Sequence, residues 1–295
     1  MRAVPALLLT LLLAAPALAY EDSGSSHIIV LGGGKKSADA SKVVGKLKAM
    51  TIAPLSPGQG YPKTMKSDKI PGLDPGFHIA VFGFCDSKDD AAAVRDLLNL
   101  RFDGVYTKQV DKGFPPAACP PVPRNDPGDP EHMTLSESGS LREGQSWPKW
   151  QVFTGQGGPA GSNCTRALVR VLASSGMLAQ AVFEPDGCSP PGEGAMDEFW
   201  SLTGFPELDG RRFVLLEHRQ EWHDNGAVEY KLLHYGCASA QPVATLQPTA
   251  PHPVPKVELR GKRWQDLTVV MTQNGETDTQ RFRWHEKKCI FVSKE

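Results

Sequence analysis

Two stretches of the chain repeat one pattern of apolar and polar positions. Residues 26–49, SHIIVLGGGKKSADASKVVGKLKA, run in step with residues 77–100, FHIAVFGFCDSKDDAAAVRDLLNL. His27 matches His78, Ile28 matches Ile79, Val30 matches Val81 and Gly32 matches Gly83. Further on, Asp39, Ala40, Val43 and Leu47 match Asp90, Ala91, Val94 and Leu98. Each copy opens with a short apolar run closed by glycine, which predicts a buried strand. The spacing then changes to that of a helix: Ala40, Val43 and Leu47 share one face, as do Ala91, Val94 and Leu98. Ser87 stands as N-cap of the second helix, with Asp90 three residues on as its reaching partner. Residues 103–110, DGVYTKQV, predict a closing strand, and residues 63–70, KTMKSDKI, a less regular one after the first helix. The order β-α-β, β-α-β predicts a four-stranded antiparallel sheet with both helices on one face, the ferredoxin-like arrangement. One unit cannot bury its helix stripe alone; two units share a core.

The pattern breaks at residues 113–130, GFPPAACPPVPRNDPGDP, which suit neither helix nor strand. Beyond this linker a second doubling appears. ELDGRRF at 207–213 matches ELRGKRW at 258–264. Each is followed by an apolar strand, an Asn-Gly pair (Asn225-Gly226, Asn274-Gly275) and an alternating strand ending near Cys237 or Cys289. Asn-Gly between strand-like runs is a hairpin signal. Residues 167–188 predict another hairpin about Ser174-Ser175-Gly176. The repeat distantly resembles the hairpin units of β-propeller-like proteins, in which an LDG turn opens each unit; Arg260 stands in one copy where Asp209 stands in the other. The expectation is therefore an α+β chain: a ferredoxin-like βαββαβ N-terminal domain over 20–112, a Pro-rich linker over 113–130, and a mostly antiparallel β domain over 131–295.

Composition narrows the class. A net charge of −1 over 295 residues argues against a dedicated nucleic-acid binder. Arg2, an apolar run over 6–15 and the small-residue pattern Ala17-Leu18-Ala19 predict a secretory signal peptide over 1–19, cleaved after Ala19. The run is too short to span a bilayer, and no later stretch reaches that length. The mature chain is expected to be exported, periplasmic or secreted, without a membrane span. The six cysteines, Cys85, Cys119, Cys164, Cys188, Cys237 and Cys289, all follow the cleavage site. An even number in an exported chain favours disulfides, with about 15 connectivities open. Neighbour pairing is the expectation, with Cys119 pinning the linker back to Cys85. No CxxC pair is present, so zinc and thioredoxin-type readings fall away.

Residues 27–110 resemble the sporulation-related repeat (SPOR) domain of bacterial envelope proteins. The carriers are the doubled apolar strands closed by glycine, Ile28-Ile29-Val30-Leu31-Gly32 and Ile79-Ala80-Val81-Phe82-Gly83, each followed by a short turn and an Ala-rich helix. The resemblance implies binding of peptidoglycan glycan strands on an exposed sheet face. Val30 and Val81 stand where the family often carries a polar residue, and Gly34 and Cys85 where it often carries an aromatic. Residues with chemistry suited to a sugar are His27, Tyr61, His78, Tyr106 and Lys108.

Catalytic signals are sparse. LGGGKKS, 31–37, lacks the glycine spacing of a phosphate loop and reads as a flexible turn. EHRQEWHD, 217–224, gathers carboxylates and histidines, but His218 and His223 are not at metalloprotease spacing and on a strand they face opposite ways. Ser174 sits at a turn, without a nucleophile elbow. The sequence asks for no cofactor and no metal. The leading expectation is a non-catalytic binding or structural protein of the envelope, its partner peptidoglycan glycan or another envelope protein. The alternatives are an exported hydrolase with its site in the β-rich half, and a protein–protein adaptor.

Overall fold

The computed structural model describes residues 24–50, 55–158, 160–188, 196–222, 225–237, 239–248 and 255–294. The expected signal peptide lies outside them. The repeated stretches build β1 (Ser26–Gly34), α1 (Ser37–Lys48), β2 (Lys63–Lys66), β3 (His78–Cys85), α2 (Lys88–Asn99) and β4 (Tyr106–Val110). The four strands form one antiparallel sheet in the order β2-β3-β1-β4. Ser87 caps α2: its hydroxyl accepts from the amides of Asp89 and Asp90 at 3.2 and 3.3 Å. Asp90 does not reach back to the cap; its carboxylate pairs with Arg124 at 2.7 Å. The segment expected as a flexible turn is partly strand, since Gly32, Gly33 and Gly34 complete β1. A side chain at Gly33 would place its Cβ 2.2 Å from the His78 carbonyl oxygen, so only glycine fits there.

Three four-stranded antiparallel sheets follow. β5 (Met133–Ser140), β6 (Lys149–Gln156), β7 (Thr165–Ala173) and β8 (Gly176–Phe183) pair in sequence order. β9 (Met196–Gly204) leads through the two-residue strands β10 (Glu207–Leu208) and β11 (Arg211–Arg212) to β12 (Val214–Trp222), β13 (Asn225–Gly236) and β14 (Ser239–Leu246). The order of this sheet is β14-β13-β12-β9. β15 (Lys256–Arg260), β16 (Asp266–Gln273), β17 (Glu276–His285) and β18 (Ile290–Lys294) close the chain as a fourth sheet. The turn at Asn274-Gly275 has positive φ at both residues (53° and 85°), as a two-residue hairpin requires. Asn225 instead pairs with Trp222, so Asn225-Gly226 belongs to strand β13 rather than to the turn.

The sheet of β9 and β12–β14 is the middle layer. Val214, Leu215 and Leu216 are all buried, as expected of a strand covered on both faces. Val214 and Leu216, with Trp200, Leu233 and Tyr235, join a core shared with Trp150, Val152, Val169 and Val171 and with Leu97 and Leu98 of α2. Leu215, Phe213, Tyr230 and Leu232 face the other way, onto Leu267, Val269, Met271 and Phe282 of the last sheet.

This packing corrects the expected fold class. The chain is not an α+β protein led by a ferredoxin-like βαββαβ domain. It is mostly β, with 52% of the described residues in strands, 12% in helix and several antiparallel sheets. The helices do not roof a separate two-layer core: α2 touches β1 of its own sheet and β7 of the next, and its apolar stripe enters the core common to the β sheets.

Cys85–Cys119, Cys164–Cys188 and Cys237–Cys289 are bonded, and the described residues hold no free cysteine. Three disulfides fit an oxidising, exported location. Among the described residues no helix is long and apolar enough to cross a membrane.

Candidate functional site

The face of the first sheet turned away from the helices is apolar. Ile28, Val30, Ile79, Val81, Phe84 and Val110 line it. At one end it is covered by the chain itself. Residues 112–120 cross it as a strap, held by the Cys85–Cys119 bond. Phe114 stacks on Phe84 at 3.5 Å between ring centroids, and Tyr61 packs on Phe84 from another side at 5.6 Å. Gly83 makes room for the strap, since a Cβ there would lie 2.6 Å from the Ala118 carbonyl oxygen and 2.7 Å from Pro120 Cδ. A sugar chain therefore cannot lie along the whole of this face.

The other end opens as a pocket of about 360 Å³. Its floor is Ile79 and the backbone of Gly32, Gly33 and Gly34. Tyr106 and Lys108 of the edge strand β4 form one wall; Phe77, Leu73 and Asp74 form the other. Tyr106 and Phe77 are large rings left 44% and 40% exposed. The loop carrying Leu73, Asp74 and Phe77 is tied at both ends. Ser67 Oγ accepts from the Phe77 amide at 3.0 Å, the Ser67 amide donates to the Phe77 carbonyl at 2.9 Å, and Asp68 accepts from the Gly76 amide at 2.7 Å. Partial burial, and then the charge of Asp74, push the Tyr106 hydroxyl up from its ordinary range. The pocket thus offers two aromatic faces, one cation, one carboxylate and bare backbone. These are the elements that grip a sugar ring, by stacking on its C–H faces and hydrogen bonding to its hydroxyls.

Of the five residues singled out in the sequence, the structure brings together Tyr106 and Lys108. Tyr61 is half-buried at the edge of the apolar layer, packed on Phe84, where burial pushes its hydroxyl up to about 12. His27 and His78 are equivalent in the repeat but sit at opposite ends of the sheet: His27 pairs with Cys85, and His78 with Gly34. Strands aligned in sequence but antiparallel in space send equivalent positions to opposite ends. His27 is half-buried with Nδ1 unpartnered. Neither histidine lines the pocket. Phe77 and Asp74 were missed; the one local signal was an exposed aromatic just ahead of a strand.

Of the other sequence candidate, residues 217–224, His223 and Asp224 lie outside the described residues, and Glu217 and His218 are tied up by neighbouring side chains. Glu217 accepts from Tyr230 Oη at 3.0 Å and from Arg219 at 2.7 Å. His218 lies on the other face, stacked on Trp200 at 4.1 Å between centroids, with planes 6° apart. Its Nε2 meets Glu198 and its Nδ1 meets Glu229. Burial raises the Glu198 carboxyl, but bonds from Gly187, Gln220 and His218 outweigh it and leave the group below its ordinary value. Both ring nitrogens of His218 are hydrogen-bonded to carboxylates. Among the described residues no group of three or more His, Cys, Asp or Glu could hold a metal ion.

Set against family models, curated proteins and solved structures, the chain matches none.

Proposed function

We propose that the protein is an exported, non-catalytic binding module of the bacterial cell envelope, periplasmic in location, that holds peptidoglycan glycan in the pocket between β4 and the 67–77 loop. The observation that carries this reading is the pairing of two exposed rings, Tyr106 and Phe77, across a glycine floor, with Lys108 and Asp74 at the rim. Rings of that kind are costly to leave in water and are suited to the flat faces of pyranose sugars. Lys108 supplies a partner for the lactyl carboxylate that stands on alternate sugars once stem peptides are removed. The resemblance of residues 27–110 to SPOR domains points the same way, with the difference that the strap restricts contact to one end of the sheet.

The test is co-sedimentation of the full mature chain with purified sacculi, with and without stem peptides. Retention is expected on both, and more strongly on stripped glycan. Tyr106→Ala should weaken it about tenfold, the loss of one stacking contact of roughly 1.4 kcal/mol. No retention of the wild-type chain on either preparation removes the reading.

A further inference from the structure

The last sheet packs one face on the middle layer through Leu267, Val269, Met271 and Phe282. The other face is polar and basic. Along β17 the exposed Arg281, Arg283 and His285 alternate with the buried Phe282 and Trp284, so they point away from the core. Register places Lys294, Val292 and Ile290 of β18 opposite them in that order. On the other side Thr268 and Asp266 of β16 stand opposite Arg281 and Arg283, and Arg260 of β15 stands opposite Thr268. Arg260, Arg281 and Lys294 therefore lie in one row across the sheet. With Lys256 and Arg283, five cations share this face with two carboxylates, in a chain whose net charge is −1. Both carboxylates are already engaged: Glu258 pairs with Lys256 and Arg260 at 2.5 and 2.8 Å, and Asp266 with Lys294 at 2.9 Å. Arg281 has no ion-pair partner among the described residues, although it stands directly opposite Lys294. Like charges so placed cost stability unless an anion joins them.

Charge alone would suit any polyanion; the apolar groups at the same edge narrow the choice. Ile290 and Val292 are 39% and 43% exposed on this face, and the exposed Lys287 and Lys288 stand in the turn just before them. A shallow cavity of about 690 Å³ opens beside them, with Arg283, His285, Val292 and Lys294 in its lining. A soluble polyanion offers nothing to two aliphatic side chains. A bilayer surface offers phosphates in the headgroup plane and acyl chains just beneath it. We infer that this face of the last sheet docks on an anionic phospholipid membrane. Arg281, Arg283 and Lys294 meet the lipid phosphates, and Ile290 and Val292 enter the boundary between headgroups and acyl chains. The site lies on a different sheet from the β4 pocket and does not depend on its ligand.

The experiment is co-sedimentation of the full mature chain with phosphatidylcholine vesicles, with and without about one-third phosphatidylglycerol, at physiological ionic strength. Wild type is expected to bind the anionic vesicles and not the neutral ones. Arg281→Gln with Arg283→Gln should weaken binding about thirtyfold, the loss of two cations at an anionic surface. This variant should melt no lower than wild type, because it removes the charge opposite Lys294. Ile290→Thr with Val292→Thr keeps the β-branched shape and should weaken vesicle binding about fivefold, while leaving binding to long-chain polyphosphate unchanged. Tyr106→Ala should bind the vesicles as wild type does. Wild type that does not bind anionic vesicles, or binds them no better than the arginine variant, overturns the inference. Vesicle binding that is indifferent to the Ile290 and Val292 substitutions assigns the face to a soluble polyanion and also overturns it. The vesicles carry no saccharide, so failure of the sacculus assay leaves this result unaffected.

Discussion

Acidification should destabilise this protein through one histidine. His234 of β13 is 4% exposed and is ringed by Phe213, Trp264, Trp284 and Phe291, with centroids 5.2–5.4 Å away. Its Nε2 has no partner. The charged groups beside it are guanidinium ions. Arg211 lies 4.0 Å from the Trp264 ring; Arg101 lies 5.5 Å from both indoles and is paired with Glu286. Arg211 is itself driven down to about 9 by burial and by its neighbours Arg101 and Arg142. Burial first, then Arg211 and Arg101, hold His234 well below the usual 6.5. The folded ring therefore stays neutral at pH values where the unfolded one takes up a proton. Since the unfolded state binds more protons, stability is fully present above about pH 6.5 and falls as pH drops below it. Between pH 7 and pH 5 the loss is at most about 1.9 kcal/mol, the limit in which the folded ring takes up no proton. Urea unfolding at the two pH values, for wild type and for His234→Leu, isolates this term, because the remaining histidines and carboxylates are common to both. Wild type should lose more than the variant, by at most about 1.9 kcal/mol. Equal losses in the two proteins would refute the reasoning.

Two further predictions concern the strap over the first sheet. Replacing Cys85 and Cys119 together by alanine opens a loop of 34 residues and should cost about 3.8 kcal/mol by the chain-entropy relation; a urea midpoint equal to wild type would show that the strap is held without the bond. Gly83→Ala forces a Cβ onto backbone and proline atoms and should cost about 1–3 kcal/mol. Gly45→Ala, on the exposed face of α1 with nothing within 4 Å, should instead raise stability by about 1 kcal/mol through helix propensity. Thermal melts of the two glycine variants should move in opposite directions; shifts of the same sign contradict the close approach at Gly83.

Where a signal is local, the sequence by itself was enough. Helical spacing placed α1 and α2 and Ser87 at its cap. Positive-φ chemistry placed the Asn274-Gly275 turn, and the sheets of the second half follow from alternating strands between turn residues. Adjacent cysteines in sequence proved to be adjacent in space, because each pair spans only two to four neighbouring elements. The tertiary structure alone decided which faces meet. Antiparallel pairing separated His27 from His78, packing on Phe84 half-buried Tyr61, and Phe77 and Asp74 came to Tyr106 and Lys108 across a loop that no periodicity describes. The same holds for fold class. Apolar stripes on α1 and α2 say that each helix must bury one face, but not whether the cover is their own sheet alone. For α2 it includes the next sheet, because its apolar stripe joins the core that one face of the middle layer shares with β6 and β7, while the other face packs on the last sheet.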